Sequence, residues 1–263
     1  MLLAIDARNR GLTVGTWTGS AWHSIRRFGA MPGRSADEYS LLLSALRPPE
    51  PGDIVESAWI SSVVPALTPL LVEAVAGTFG VEARIIGPGV RTGVKIRTDQ
   101  PSELGADLVC AAAAAYELVR APCIVVDAGL ALTVSAISGA GEFLGAAIAP
   151  GITAAAEALR ASAAQLPEVK LEMPDCAIGT STVGAIQSGI LFGYQGLVTA
   201  LVGRMSSELE TDAGGSPAGA APVVVGTGDK LGQRLLAACG YGRFVPDLVL
   251  EGIALIAARN LRT

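Results

Sequence analysis

A short pattern occurs twice in this chain. Near the start stands Leu3-Ala4-Ile5-Asp6-Ala7, then a tight turn and a strand entered through Thr13-Val14; after residue 122 stands Ile124-Val125-Val126-Asp127-Ala128, a second turn and Thr133-Val134. Each copy is an apolar strand ending in Asp-Ala, followed by a turn and a second strand. Self-similarity at about half the chain length predicts duplicated lobes. Around the repeat, hydrophobic periodicity alternates between strand and helix, which predicts an α/β fold.

In the first half the pattern gives strands over 2–6, 12–17 and 21–28, a helix over 35–46, strand 54–60, helix 65–78 and strand 83–86. A loop rich in glycine and charge and a helix over 102–119 complete it. The second half reads as strands 123–127, 131–137 and 142–148, helices 151–163 and 182–209, strand 222–226, and helices 229–239 and 247–261. The proline-rich stretch 47–53 reads as a loop, and 211–221, rich in glycine and alanine, as a flexible one. A boundary near Arg120-Ala121-Pro122 divides the chain into 1–120 and 121–263.

Composition removes several classes of function. The 263 residues are 51% hydrophobic and only 16% charged, the reverse of a disordered chain. A net charge of −5 without a Lys/Arg-rich run argues against nucleic acid or an anionic membrane as partner. Cys110, Cys123, Cys176 and Cys239 are scattered and His23 is the single histidine, so a zinc site is not expected and the thiols read as those of a reduced, cytoplasmic protein. Asp6 interrupts the first apolar run, which therefore does not read as a signal peptide. The uncharged stretch from Cys176 to Gly203 is long enough to span a bilayer, but its hydroxyls, amides and glycines make it a loop feeding a buried helix. Low charge with much alanine and glycine also points to an oligomer interface.

An aspartate at the C-terminal end of a strand lies where open α/β sheets bind ligands. Two of them, Asp6 and Asp127, facing one another across a cleft, suit a metal-bound nucleotide, whereas either alone reads as a strand terminator. Phosphoryl transfer to an alcohol also needs a base. Asp107, in the first turn of an apolar helix, is the candidate, although a carboxylate there also serves the helix dipole. Gly151 and Gly226-Thr227-Gly228 could admit a ligand close to the backbone. His23 reads as a surface residue, and Arg91, Lys95 and Arg97 as a solvated basic face.

Ordered landmarks along nearly the whole chain resemble the type III pantothenate kinases. They include MLLAID, Ile60-Ser61-Ser62-Val63-Val64-Pro65, Gly87 through Gly93, Gly105-Ala106-Asp107, Val125 through Gly129, Gly141 through Gly145, Ile148 through Gly151, Gly179 through Gly189, Gly226-Thr227-Gly228 and Asp247 through Gly252. The resemblance implies two ribonuclease-H-like lobes of the actin-like kinase superfamily around a central cleft. It implies ATP-dependent phosphorylation of pantothenate to 4′-phosphopantothenate, the first step of coenzyme A synthesis. ATP with Mg²⁺, a monovalent cation (K⁺ or NH₄⁺) and a cytoplasmic homodimer come with it.

Carried over residue by residue, the resemblance makes Asp107 the proton acceptor. Asp6 (also toward Mg-ATP), Asn9, Thr133 and Gly228 become nucleotide ligands, Gly105, Ala106 and Thr182 substrate contacts, and Asp127 the cation ligand. The chain departs from the family where the first loop has Arg8 and Arg10 for Gly and Thr, and where Leu108 replaces a substrate-binding arginine. Leu130 and Leu132 replace hydroxyls, Thr98 replaces a tyrosine, Ala146 and Asp229 replace glycines, and Thr180-Ser181 replaces Lys-Asn. The arginines would either grip phosphate or fill its space. The departures point to impaired turnover; the alternatives are a non-catalytic ligand-binding or regulatory homologue, or a kinase for a different small hydroxyl acceptor.

Overall fold

The computed structural model describes residues 1–29, 33–46, 54–163, 165–211 and 221–261. The proline-rich loop at 47–53 and nearly all of the 211–221 loop lie outside the described residues. The chain separates into two compact units: Met1–Val94 with Asp99–Ala114 and Leu248–Thr263, and Lys95–Thr98 with Ala115–Asp247.

The first unit is built on a five-stranded sheet. Strands β1 (Leu2–Arg8), β2 (Gly11–Trp17), β3 (Trp22–Gly29), β4 (Ser57–Ser62) and β5 (Ala83–Ile85) lie in the order β3-β2-β1-β4-β5. β1 pairs antiparallel with β2 and parallel with β4. Helices α1 (Ala36–Ser44) and α2 (Thr68–Phe79) cover one face, burying Tyr39, Leu43, Leu71, Ala74 and Val75 against Leu3, Ile5 and Ile60. The start of α1 is fixed locally: Ser35 caps Glu38 N while the Glu38 carboxylate accepts from Ser35 N, a reciprocal capping box. α2 stops at Gly80, whose φ of +70° suits the left-handed cap.

The second sheet repeats the first. β7 (Cys123–Ala128), β8 (Ala131–Ile137), β9 (Glu142–Pro150) and β10 (Val223–Gly228) lie in the order β10-β7-β8-β9, again with an antiparallel meander and a parallel neighbour at β7. Helices α4 (Ile152–Ser162), α5 (Thr182–Thr211) and α6 (Lys230–Ala238) contribute Ile152, Ile190, Leu191, Val198, Val202, Leu235 and Leu236 to its core. α3 (Ala106–Val119) begins in the first unit and ends in the second. α7 (Leu248–Asn260) packs on β1, β2 and β4, so it groups with the first unit, whereas a division at residue 120 counts it with the second.

Three readings of the sequence are sharpened. The loop before α3 contains a short strand, β6 (Lys95–Ile96), pairing parallel with β9. Lys95 and Arg97 both reach Glu142, at 3.5 Å and 2.9 Å, so this part of the basic cluster ties β6 to its neighbour. α5 is long and apolar enough to cross a membrane by length and composition, yet only 28% of its apolar window is buried. It is a helix with one core face and one exposed face, rather than one buried all round.

Two thiols make stability depend on alkaline pH. Burial pushes Cys123 up to about 12 and holds Cys110 well above the ordinary thiol value, with the Asp6 charge adding to the latter. Both groups keep their protons in the folded state beyond the unfolded value of about 8.5. Their stabilisation is therefore complete below about pH 8.5 and is lost as pH rises toward the folded values, at about 1.4 kcal/mol per pH unit and thiol. Urea denaturation of Cys123→Ala at pH 8 and pH 9.5 should show a loss of stability about 1 kcal/mol smaller than wild type between the two. An unchanged loss would contradict this assignment.

Candidate active site

The duplicated strands place their carboxylates in equivalent settings. In the first unit Asp6 lies opposite Thr13 on β2 and beside Ser61 on β4. In the second, Asp127 lies opposite Thr133 on β8 and beside Thr227 on β10. Directly paired residues project to one face of a sheet, so each aspartate sits in a transverse row flanked by hydroxyl residues. Both aspartates are 5% exposed. Thr227 Oγ1 donates to the carbonyl of Pro246 at 3.4 Å.

The row in the first unit is joined by α3. Asp107, in the first turn, has Oδ1 accepting from Leu108 N at 2.9 Å. Gly105 supplies the room: a Cβ there would stand 2.5 Å from Asp107 Oδ1. One turn further, the Cys110 thiol is fully buried. Burial raises its pKa, the Asp6 and Asp107 carboxylates raise it further, and Ser61 and Arg8 act in the opposite sense. Asp6 and Asp107, distant in sequence, thus both act electrostatically on one buried thiol of the first unit. Gly105 and Ala106, at the same helix start, are half-buried.

Arg8 reaches back along its own strand. Its Nε donates to Asp6 Oδ2 at 2.8 Å, with the arginine side chain 31% exposed and the aspartate 7%. The two residues are i and i+2 on β1 and share a face. Asn9 and Arg10 form the exposed turn of the β1–β2 hairpin.

In the second unit, glycines hold backbone against backbone. A Cβ at Gly228, where φ is +119°, would lie 2.4 Å from Ala128 O; one at Gly151 would lie 2.2 Å from Gly129 O. The turn after β7 is therefore clamped between Gly151 and the end of β10. Asp229 begins α6 by capping Gly232 N at 2.8 Å. Thr182 opens α5 as an exposed residue just after Ser181, whose Oγ caps Gly184 N at 3.1 Å. Thr98 Oγ1 is enclosed with no hydrogen-bond partner among the described residues.

Two leucines read as lost hydroxyls have different surroundings. Leu132 is 1% exposed and belongs to the core cluster with Ile152 and Ile190, whereas Leu130 in the turn is 37% exposed. Alternation along β8 sends Leu132 to the face opposite Thr133, so its side chain lies away from the Asp127 row. His23 is exposed, as its strand pattern suggested. Ser61 carries no site signal in the sequence, and Thr227 enters there only with its glycine neighbours; each is a hydroxyl residue at the same position of the strand parallel to an Asp-bearing strand.

Comparison with known proteins shows the family and the fold. The model of the family "Type III pantothenate kinase" matches residues 2–204. The type III pantothenate kinase of Moorella thermoacetica is 40% identical over 262 residues, covering 99% of this chain and 100% of its own. Among solved structures, a Campylobacter jejuni protein of the Baf family superposes with a TM-score of 0.63 at 18% identity, covering 99% of this chain and 100% of that one. The acetate kinase of Porphyromonas gingivalis gives 0.52 at 12%, covering 99% and 98%. These two share the fold: a mixed α/β architecture on two sheets, as in actin-like sugar and acetate kinases. With the family model spanning most of its length and a full-length relative at this identity, the chain belongs to the type III pantothenate kinase family.

Proposed function

We propose that this chain transfers the γ-phosphoryl group of ATP to the 4′-hydroxyl of pantothenate, with Asp107 as the general base. The observation that carries the reading is the buried Asp6 at the end of β1 in the same compact unit as Asp107 at the start of α3, whose carboxylate accepts from Leu108 N at 2.9 Å. Leu108 N–H donates to the Asp107 carboxylate and orients it, and the carboxylate takes the proton of an acceptor hydroxyl. That hydroxyl oxygen forms the new bond to the γ-phosphorus as the bond to the β–γ bridging oxygen breaks, and ADP leaves. Because the transferring group needs little covalent help, the protein's contribution is positioning and charge.

Gly105, Ala106 and Thr182 are assigned to the acceptor, and Asn9, Thr133 and Gly228 to the nucleotide. Mg²⁺ is commonly held through one or two carboxylates together with substrate phosphates, and Asp6 suits an ion delivered with ATP in that way. The buried Asp127 carboxylate, flanked by Thr133 and Thr227, offers the oxygen donors that suit a hard monovalent cation such as K⁺ or NH₄⁺. Bound there, the cation would supply positive charge to that row of oxygens. The exposed, glycine- and alanine-bearing face of α5 supports a homodimer, the scattered cysteines support a cytoplasmic enzyme, and the acidic charge argues against nucleic-acid or anionic-membrane partners.

A bacterial strain whose own pantothenate kinase can be switched off provides the test. Expression of this chain should restore growth, and Asp107→Asn should not. Failure of the wild-type chain to restore growth while accumulating as folded protein would contradict the reading. One observation favours slower turnover as a second reading: the Asp6 carboxylate is already ion-paired with Arg8. Growth only at high expression would support it.

A further inference from the structure

We propose that Tyr194 is a positioning residue for the nucleotide, acting through the turn between Asp127 and Thr133. This rests on the kinase reading above, in which Thr133 contacts ATP, and it names a residue outside that motif which sets the motif's geometry.

A series of backbone contacts, all within the second unit, leads from α5 to that turn. Tyr194 lies in the middle of α5, half-buried against the core. Its hydroxyl reaches off the helix and donates to Pro150 O at 2.7 Å, with Gly151 O 3.3 Å away. Pro150 is the last residue of β9 and pairs with Ala131, the first of β8. Gly151 N in turn donates to Leu130 O at 2.9 Å. A Cβ at Gly151 would stand 2.2 Å from Gly129 O and 2.3 Å from Leu130 O, so backbone touches backbone with no side chain to absorb a shift.

The other side of the turn is held from the same place on α5. A Cβ at Gly232, in α6, would lie 2.6 Å from Ala128 O. At the far end of α6, Gln195 Nε2 donates to Ala238 O at 2.8 Å. Neighbouring residues of α5 thus hold the two elements that close on residues 128–130, Tyr194 through the end of β9 and Gln195 through α6. A displacement of Gly151 displaces the turn and the start of β8, which carries Thr133. Burial holds the Tyr194 pKa above the ordinary tyrosine value, so the hydroxyl keeps its proton and its bond across the neutral range.

A comparison residue sits at the opposite end of the β8–β9 hairpin. Tyr116, near the end of α3, donates from its hydroxyl to Gly139 O at 3.0 Å, in the turn that joins the two strands. Each tyrosine gives one hydroxyl bond to the same hairpin, but only Tyr194 does so at the end where Asp127 lies.

Full-length Tyr194→Phe and Tyr116→Phe, compared with wild type, test this by thermal unfolding, calorimetric titration of Mg-ATP and hydrogen–deuterium exchange. Both variants should melt about 1–6 °C below wild type, as expected for one lost hydrogen bond. Only Tyr194→Phe should weaken Mg-ATP, by about 3- to 10-fold. Only in that variant should exchange accelerate across residues 128–134, and its KM for pantothenate should stay at the wild-type value. A merely structural hydroxyl would lower the melting temperature in both variants and leave nucleotide affinity alone. Wild-type Mg-ATP affinity in Tyr194→Phe would therefore overturn the proposal, and so would equal weakening by Tyr116→Phe. Wild-type protein that binds no Mg-ATP would overturn the kinase reading itself.

Discussion

Asp107→Asn is expected to lower kcat with pantothenate by about 10²–10⁴-fold, the range typical of a lost general base. Nucleotide affinity should stay near wild type. Asparagine keeps the shape and retains an oxygen that can accept from Leu108 N, as Asp107 does at 2.9 Å. It cannot take a proton from the acceptor hydroxyl. The loss should therefore appear in kcat rather than in the KM for ATP. Steady-state kinetics with parallel calorimetry separate the two. Equal losses in turnover and nucleotide affinity would assign Asp107 to ATP binding; an unchanged kcat would remove it from the chemistry. The same substitution also tests whether this carboxylate merely serves the helix start. In that case stability would fall by roughly 0.3–1 kcal/mol with turnover preserved.

The largest effect on stability should come from a single methyl group at Gly252. This glycine lies inside α7, where alanine is ordinarily the better helix former by about 1 kcal/mol. Here a Cβ would stand 2.0 Å from Cys110 O and 2.5 Å from its carbonyl carbon. Both are backbone atoms of α3, so no side-chain rotation relieves the overlap and the helices must separate. Gly252→Ala should cost about 3 kcal/mol, the upper end of ordinary overpacking. Gly77→Ala is the matched control: it lies in α2, where the added Cβ would meet only Ser40 Oγ, at 3.8 Å. That substitution should be neutral or stabilise by up to about 1 kcal/mol. Urea denaturation of both variants measures the contrast. Equal effects would mean that close α3–α7 packing does not support the Asp107 turn.

Much of the fold could be read from the repeat. The two Asp-turn-Thr patterns became the antiparallel pairs Asp6–Thr13 and Asp127–Thr133, with matching parallel neighbours. Most predicted segments correspond to elements in order because each carries its own local signal, such as the Ser35–Glu38 capping box or the Asp229 cap of α6. The two-residue strand β6 is too short to show alternation, and its partner Glu142 is remote in sequence. The grouping of α7 with the first unit depends on what it packs against, which periodicity does not encode.

The site was legible in its residue types more than in its contacts. Asp6, Asp107 and Asp127 stand out in the sequence, but that Asp6 and Asp107 both bear on the charge of the Cys110 thiol required the tertiary fold. Ser61 became visible only once β4 was known to lie beside β1. The Arg8–Asp6 pair was within reach, since residues two apart on a strand share a face, yet either outcome for the arginine fitted the sequence. Leu132 shows the opposite difficulty. It reads as a lost site hydroxyl in the linear motif, while its side chain belongs to the core.

The most direct measurement is mass-spectrometric detection of the product formed by purified wild-type protein from ATP, Mg²⁺, K⁺ and pantothenate. The account predicts 4′-phosphopantothenate accumulating in step with ADP, and neither above background with Asp107→Asn. ADP release without phosphorylated pantothenate, or product formed equally by the variant, would contradict it.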